Sequence, residues 1–218
     1  MRWAAEKQVT APAAAGHHRE MAKAREVKNT GRETAGDDGV LRRLDKAVTT
    51  GRLVRVHRSV PRVEWIEGFV VGASPAWTLL ARCSDIQLDG WTAIRTADIT
   101  KVRRQGDETC LTVRALRRRG QWPVRMPAAL ALDDSAALLR SAGRAFGLVS
   151  VHAERQVPDV CWIGAVKKLR PRSLRLREVD TGARWHADAT TFRFKDITRV
   201  DFGGRYEETL REFAGPYR

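Results

Sequence analysis

Cysteine is scarce in this chain: three in 218 residues, Cys83, Cys110 and Cys161. Their spacing matches no metal site and no disulfide framework, which suits a reducing compartment. Long apolar runs are missing too. No stretch approaches the roughly 18 residues of a membrane span, and the N-terminus lacks the apolar core of a signal peptide. The cytoplasm is therefore the expected compartment. Chemical motifs are equally thin, with no glycine-rich phosphate loop, no His/Cys metal cluster and no nucleophile motif. The chain reads as non-enzymatic, with no cofactor and no metal.

Acid is in short supply. Lys and Arg number 40 against 26 Asp and Glu, for a net charge of +14 and an isoelectric point near 10.7. The excess is +3 in residues 1–36, +7 in 37–126 and +4 in 127–218, so it is spread over the chain rather than confined to a tail. Such a balance fits a polyanionic partner, nucleic acid before an anionic membrane surface. An ordinary solvated surface in an Arg-rich chain gives the same tally.

What the chain does have is a repeat. Val54-Arg55-Val56-His57 followed by Pro61-Arg62-Val63-Glu64-Trp65-Ile66 recurs as Val149-Ser150-Val151-His152 followed by Pro158-Asp159-Val160-Cys161-Trp162-Ile163. Asp98-Ile99-Thr100-Lys101-Val102 recurs as Asp196-Ile197-Thr198-Arg199-Val200. The offsets are 95 at the histidines, 97 at the tryptophans and 98 at the aspartates, with Asp37-Asp38 and Asp133-Asp134 offset by 96. A period of that length is a small domain duplicated, not a solenoid. Aligned on the tryptophans, Trp65 and Trp162 share one position, Cys161 falls at Glu64, and both tryptophans are expected in the core.

Residues 1–36 hold almost no large apolar side chains and are expected to form a disordered basic tail. His17-His18 lies there without metal partners, and Met21 is an alternative start. The first module spans 37–126 and the second 127–218. Each opens with acidic residues suited to a helix N-terminus and an apolar helical stripe, Val40, Leu41, Leu44 and Val48 or Leu138, Leu139, Ala142 and Phe146, stopped by Gly51 or Gly147. Five short strands follow in each, with turn signals at Ala73-Ser74-Pro75, Asp89-Gly90, Arg170-Pro171-Arg172 and Thr181-Gly182. A helix closes each copy, at Asp107–Arg119 and Arg205–Ala214. The expected fold is mainly β with flanking helices (α+β), as two tandem five-stranded barrels, each preceded by a helix.

Phe192-Arg193-Phe194-Lys195-Asp196-Ile197-Thr198-Arg199-Val200, and Ile94 to Val102 in the first copy, resemble the second motif of the Sm-like family, apolar-Arg-Gly-x-x-Ile-x-x-apolar. Gly68-Phe69-Val70-Val71-Gly72 is similar to that family's first motif. Thr96 and Phe194 replace its Gly, Thr78 and Arg175 stand near its base-pocketing Asn, and Ala165 and Leu169 replace the two glycines. The resemblance, shared with SH3-like barrels, implies the fold more than an RNA pocket.

The candidate binding residues are basic. Lys167, Lys168, Arg170, Arg172, Arg175 and Arg177 crowd the second and third strands of the second module. Leu174 and Leu176 alternate with Arg175 and Arg177, so the arginines are expected on the solvent face. Arg114, Arg117 and Arg118 fall at i, i+3 and i+4 on one helix face. Arg95 and Arg193 complete the set through the resemblance. His57 and His152 beside Asp98 and Asp196 read as structural residues shared by the copies, not as acid–base pairs. The expected function is contact with nucleic acid, RNA foremost, through phosphate-directed cations. The alternative is a protein-interaction or adaptor module, or a homo-oligomer, that assembles through exposed barrel edges.

Overall fold

A computed structural model describes residues 33–63 and 65–217, with residues 33–38 described in backbone only. The expected tail therefore lies outside the described residues up to position 32. Positions 33–36 already belong to helix α1 (Glu33–Thr50), which puts Asp37-Asp38 inside the helix rather than at its start.

Ten strands follow in two sets of five. The first is β1 (Leu53–Arg58), β2 (Ile66–Ala73), β3 (Trp77–Ser84), β4 (Gln87–Arg95) and β5 (Ile99–Arg104). After α2 (Leu111–Arg118) and α3 (Ser135–Phe146) come β6 (Val149–His152), β7 (Cys161–Arg170), β8 (Ser173–Val179), β9 (Trp185–Arg193) and β10 (Arg199–Phe202), then α4 (Arg205–Ala214). Asp134 caps α3, its side chain accepting from the Ala137 amide at 2.8 Å. No helix among the described residues is long and apolar enough to cross a membrane.

All strand pairs are antiparallel, in the order β5-β1-β2-β3-β4-β10-β6-β7-β8-β9. Both sets repeat one order, with the last strand outside the first. Instead of each set closing on itself, β4 pairs with β10, so one sheet runs through the whole molecule.

The register reproduces the duplication in detail. Both β2–β3 and β7–β8 slip by one residue, at Val70/Gly72 and Val166/Lys168, an offset of 96. Both β3–β4 and β8–β9 slip again at Ala81/Cys83 and Arg177/Val179, the same offset. His57 faces Lys101 as His152 faces Arg199. Gly68 and Gly164 occupy one position, since a Cβ there would sit 2.3 Å from the Ala81 carbonyl oxygen and 2.1 Å from that of Arg177.

That register corrects the alignment on tryptophan. Gly68 corresponds to Gly164 and not to Ala165, so Ile66 matches Trp162 and Trp65 matches Cys161. The two tryptophans are not equivalent. Trp65 is 40% exposed, with the Arg55 guanidinium 3.7 Å over its ring. Trp162 is half-buried against Phe192, with ring centroids 5.1 Å apart.

One turn assignment also moves. The β3–β4 hairpin turns at Asp85-Ile86, both at positive φ, and Asp89-Gly90 lies within β4. Gly90, at φ 71°, is needed where the strand meets the second repeat, because a Cβ would fall 2.5 Å from the Gly204 nitrogen.

Each repeat could bury two faces of its sheet. In the first, α1 places Leu44 and Ala47 on Val54, Val56, Ile66, Val70, Leu80 and Ile94. The opposite face, with Phe69, Trp77, Leu79, Ala81 and Ala93, is covered by α2 and the segment after it. Trp122 packs edge-on to Phe69 at 5.4 Å, and Ser74 Oγ donates to the Leu132 carbonyl at 2.6 Å. That core continues without a break into the second repeat through Leu138, Leu139, Val149, Val151, Leu176 and Phe202. The hydrophobic interior is thus shared between repeats.

Candidate nucleic-acid interface

The offset of 96 permits a position-by-position comparison of the outer faces. Gly72, Trp77, Leu79 and Ala81 of the first repeat correspond to Lys168, Ser173, Arg175 and Arg177 of the second. Ala93 and Arg95 correspond to Thr191 and Arg193, two residues further offset. A face that is apolar and covered in one copy is cationic in the other.

Cross-strand partners show how the charges group. Lys168 faces Arg175, which faces Thr191; Arg170 faces Ser173, which faces Arg193. Residues two apart on a strand share a face, so Lys168, Arg170, Arg175 and Arg193 project from the same side of the sheet. Lys167, Lys168, Arg170 and Arg172 are exposed and Arg175 is half-buried. The side chains of Lys168, Arg170, Arg172 and Arg175 make no hydrogen bond or ion pair among the described residues. Like charges directly opposite on a sheet repel, so Lys168 beside Arg175 is a standing cost that an anion would relieve.

Arg177 departs from the expected solvent face. It is 5% exposed, and its Nη1 donates to the carbonyl oxygens of His186, at 3.0 Å, and of Ala187. The Tyr217 ring covers it at 4.5 Å and packs on Trp185, whose Nε1 donates to the Ala214 carbonyl. With Leu210 of α4 packed on Leu148 and Val179, this end of the face is closed. Arg177 is a structural residue.

Arg95 is also built in. Its Nε donates to the Ile197 carbonyl at 2.6 Å and its Nη2 to that of Phe194, so it clamps the second repeat to the first. Burial lowers its pKa, and the Asp98 carboxylate works against that. Arg193, its counterpart, is exposed and ion-paired to Asp196 at 2.5 Å. On α2, Arg114, Arg117 and Arg118 are all exposed, with Arg117 held by Glu108 at 2.8 Å. They form a separate patch on a different element.

His57 does not pair with Asp98, nor His152 with Asp196. His57 Nε2 is buried without a hydrogen-bond partner, and Asp98 accepts from Arg155 at 2.5 Å. His152 bonds Asp201 at 3.1 Å and Asp196 bonds Arg193. No group of three or more His, Cys, Asp or Glu among the described residues is placed to hold a metal.

Sequence reasoning missed a buried polar junction between the repeats. Arg58 donates to both Glu154 oxygens, at 2.6 and 2.9 Å, and Thr198 Oγ1 donates to Glu154 at 2.8 Å. Arg199 bridges to Asp201 and approaches Glu154 at 3.8 Å. Burial resists ionisation of Asp201, yet Arg199 and then His152 hold its carboxyl well below the ordinary range. Glu154 is likewise lowered against burial, by Arg58, Thr198 and Arg199. The carboxylates of this network are taken up by its own cations, while Arg58 Nε is buried without a hydrogen-bond partner. Compared with protein-family models, curated proteins and solved structures, the chain finds no match to any.

Proposed function

We propose that this chain is a non-enzymatic nucleic-acid-binding protein, with RNA its principal ligand, built from two repeats whose helix-plus-five-strand order is similar to that of an Sm-like or SH3-like barrel. The phosphate contacts fall to Lys167, Lys168, Arg170, Arg172 and Arg175, with Arg114, Arg117 and Arg118 of α2 as a second patch. One observation carries the reading. The outer sheet face that the first repeat makes apolar and covers is, in the second, open over the β7–β8 hairpin and populated by cations without acidic partners.

Arginine suits that task, since its planar fork donates two hydrogen bonds to a phosphate and stays charged. Contacts of this kind position a backbone and carry little sequence information, so binding is weakly selective and strongly salt-dependent. Titrating the purified, nuclease-treated chain into fluorescently labelled RNAs of unrelated sequence tests it. Comparable affinity for all of them at low salt is expected. Failure to bind any removes the proposal.

A further inference from the structure

We infer that the first repeat holds a phosphate group on one face of β1 and β5, among His57, Lys101 and Arg103, in the place that the Asp201 carboxylate fills in the second repeat. The register makes the two places correspond residue for residue. His57 faces Lys101 and Arg55 faces Arg103, as His152 faces Arg199 and Ser150 faces Asp201. Residues two apart on a strand share a face, so each set of four stands on one side of its strand pair.

In the second repeat the set contains its own anion. Asp201 accepts from Arg199 Nε at 2.8 Å, bonds His152 Nε2 at 3.1 Å and lies 3.7 Å from Arg82. In the first repeat the histidine and the facing cation are kept, but Arg103 stands at the position of the aspartate. His57 Nε2 is left buried without a partner. Lys101 and Arg103 are exposed and make no hydrogen bond or ion pair among the described residues. Glu67 on the neighbouring strand does not neutralise them, because Arg55 takes its carboxylate at 2.7 Å.

Charge selects the ligand. Arg in place of Asp makes this set more positive than its counterpart by two charges, which suits a doubly charged oxyanion better than a carboxylate. A phosphate monoester carries about −1.5 to −2 charges near neutrality and three strong acceptor oxygens. Those oxygens suit the Lys101 ammonium, the Arg103 fork and, in the tautomer protonated at Nε2, His57. Arg103 also lies directly opposite Arg55, a like-charge pair that an anion relieves. The place is on the first repeat, apart from the β7–β8 face, and does not depend on nucleic-acid contact there.

The experiment follows the histidine ring signals of the full chain by NMR at constant ionic strength and neutral pH, as inorganic phosphate or acetate is added. Phosphate should shift the His57 resonances saturably, and acetate should shift them far less. His152, already bonded to Asp201, should stay put and serves as the internal control. K101A should weaken phosphate by about tenfold or more. R103D, which rebuilds the set of the second repeat, should fold and lose the response; R103Q, which removes the charge alone, should weaken it as K101A does. Oligonucleotides ending in a 5′-phosphate or a 5′-hydroxyl separate the sources of the group. His57 moved by the phosphorylated form alone assigns it to a nucleic-acid end, and His57 moved by inorganic phosphate but by neither oligonucleotide assigns it to a free phosphate compound. His57 signals unmoved by any phosphate overturn the proposal. So does a shift that K101A, R103D and R103Q all leave intact.

Discussion

Arg58 and Glu154, 96 residues apart, are joined by a two-bond ion pair whose side chains are only 1% and 3% exposed. The pair lies between the repeats, so the duplication is fastened together by one charge from each copy. Ala153 takes the position of Arg58 in the second repeat, and is buried. A buried pair is costly to break from one side, because the survivor is left charged and unsolvated. R58A and E154A should each cost about 3–5 kcal/mol in urea denaturation. The R58A/E154A double variant should cost clearly less than the two losses added, since it strands neither charge. Additive losses would show that the pair is not coupled.

Acid should unfold the chain through the same junction. Glu154 and Asp201 both have carboxyls held below their ordinary pKa in the folded state. A depressed carboxyl stabilises the fold fully above its unfolded pKa, near 4, and that contribution is lost as pH falls through the folded value. Stability is therefore expected to be flat toward neutrality and to drop below about pH 4. Replacing Glu154 by Gln should lower stability at pH 7 and shallow the acid limb, read by denaturation across pH. An unaltered acid limb would place the titrating groups elsewhere.

Two arginines two positions apart on β8, Arg175 and Arg177, should behave oppositely. Arg177 is buried with its guanidinium on two carbonyl oxygens, so R177A should cost about 1–3 kcal/mol. Arg175 makes no polar contact among the described residues, and R175A should fall within about 0.5 kcal/mol of the parent. Thermal melts of the two variants decide it. Equal losses would mean that the face is not open at Arg175.

Much of this architecture was legible because the chain states it twice. The helix, the five strands and their turns recur, and Arg205–Ala214 bounds the last helix as Gly215 and Pro216 imply. The sequence suggests two separate barrels because periodicity reports which face of a strand is apolar, not which strand lies beside it. The β4–β10 pairing left no local mark. Trp65 and Trp162 misled for a related reason: identity of type outweighed register, and only the opposed carbonyls at Gly68 and Gly164 show the true offset. The basic hairpin could be read as far as Arg175. At Arg177 a tertiary cover of α4 and Tyr217, distant in sequence, overrode the alternation.

Because the core is continuous, the repeats should not stand alone. Fragments 33–126 and 127–217 would each expose half of one hydrophobic interior and a raw edge at β4 or β10. Each is expected to aggregate or to lack fixed tertiary structure in NMR spectra, while the whole chain melts in one cooperative step. Two independently folded fragments would contradict a shared core.

The measurement that bears most directly on nucleic-acid contact is the salt dependence of binding to a labelled single-stranded RNA, parent against the R170E/R172E/R175E triple variant. Each phosphate contact on a single strand contributes about 0.7 to the slope of log affinity against log salt. The parent should weaken steeply with salt, and the triple variant should bind less tightly with a slope flatter by about 2. The loss should be alike for unrelated sequences, with the fold intact by circular dichroism. Parent and variant binding with the same affinity and the same slope would contradict the assignment of this face to phosphate.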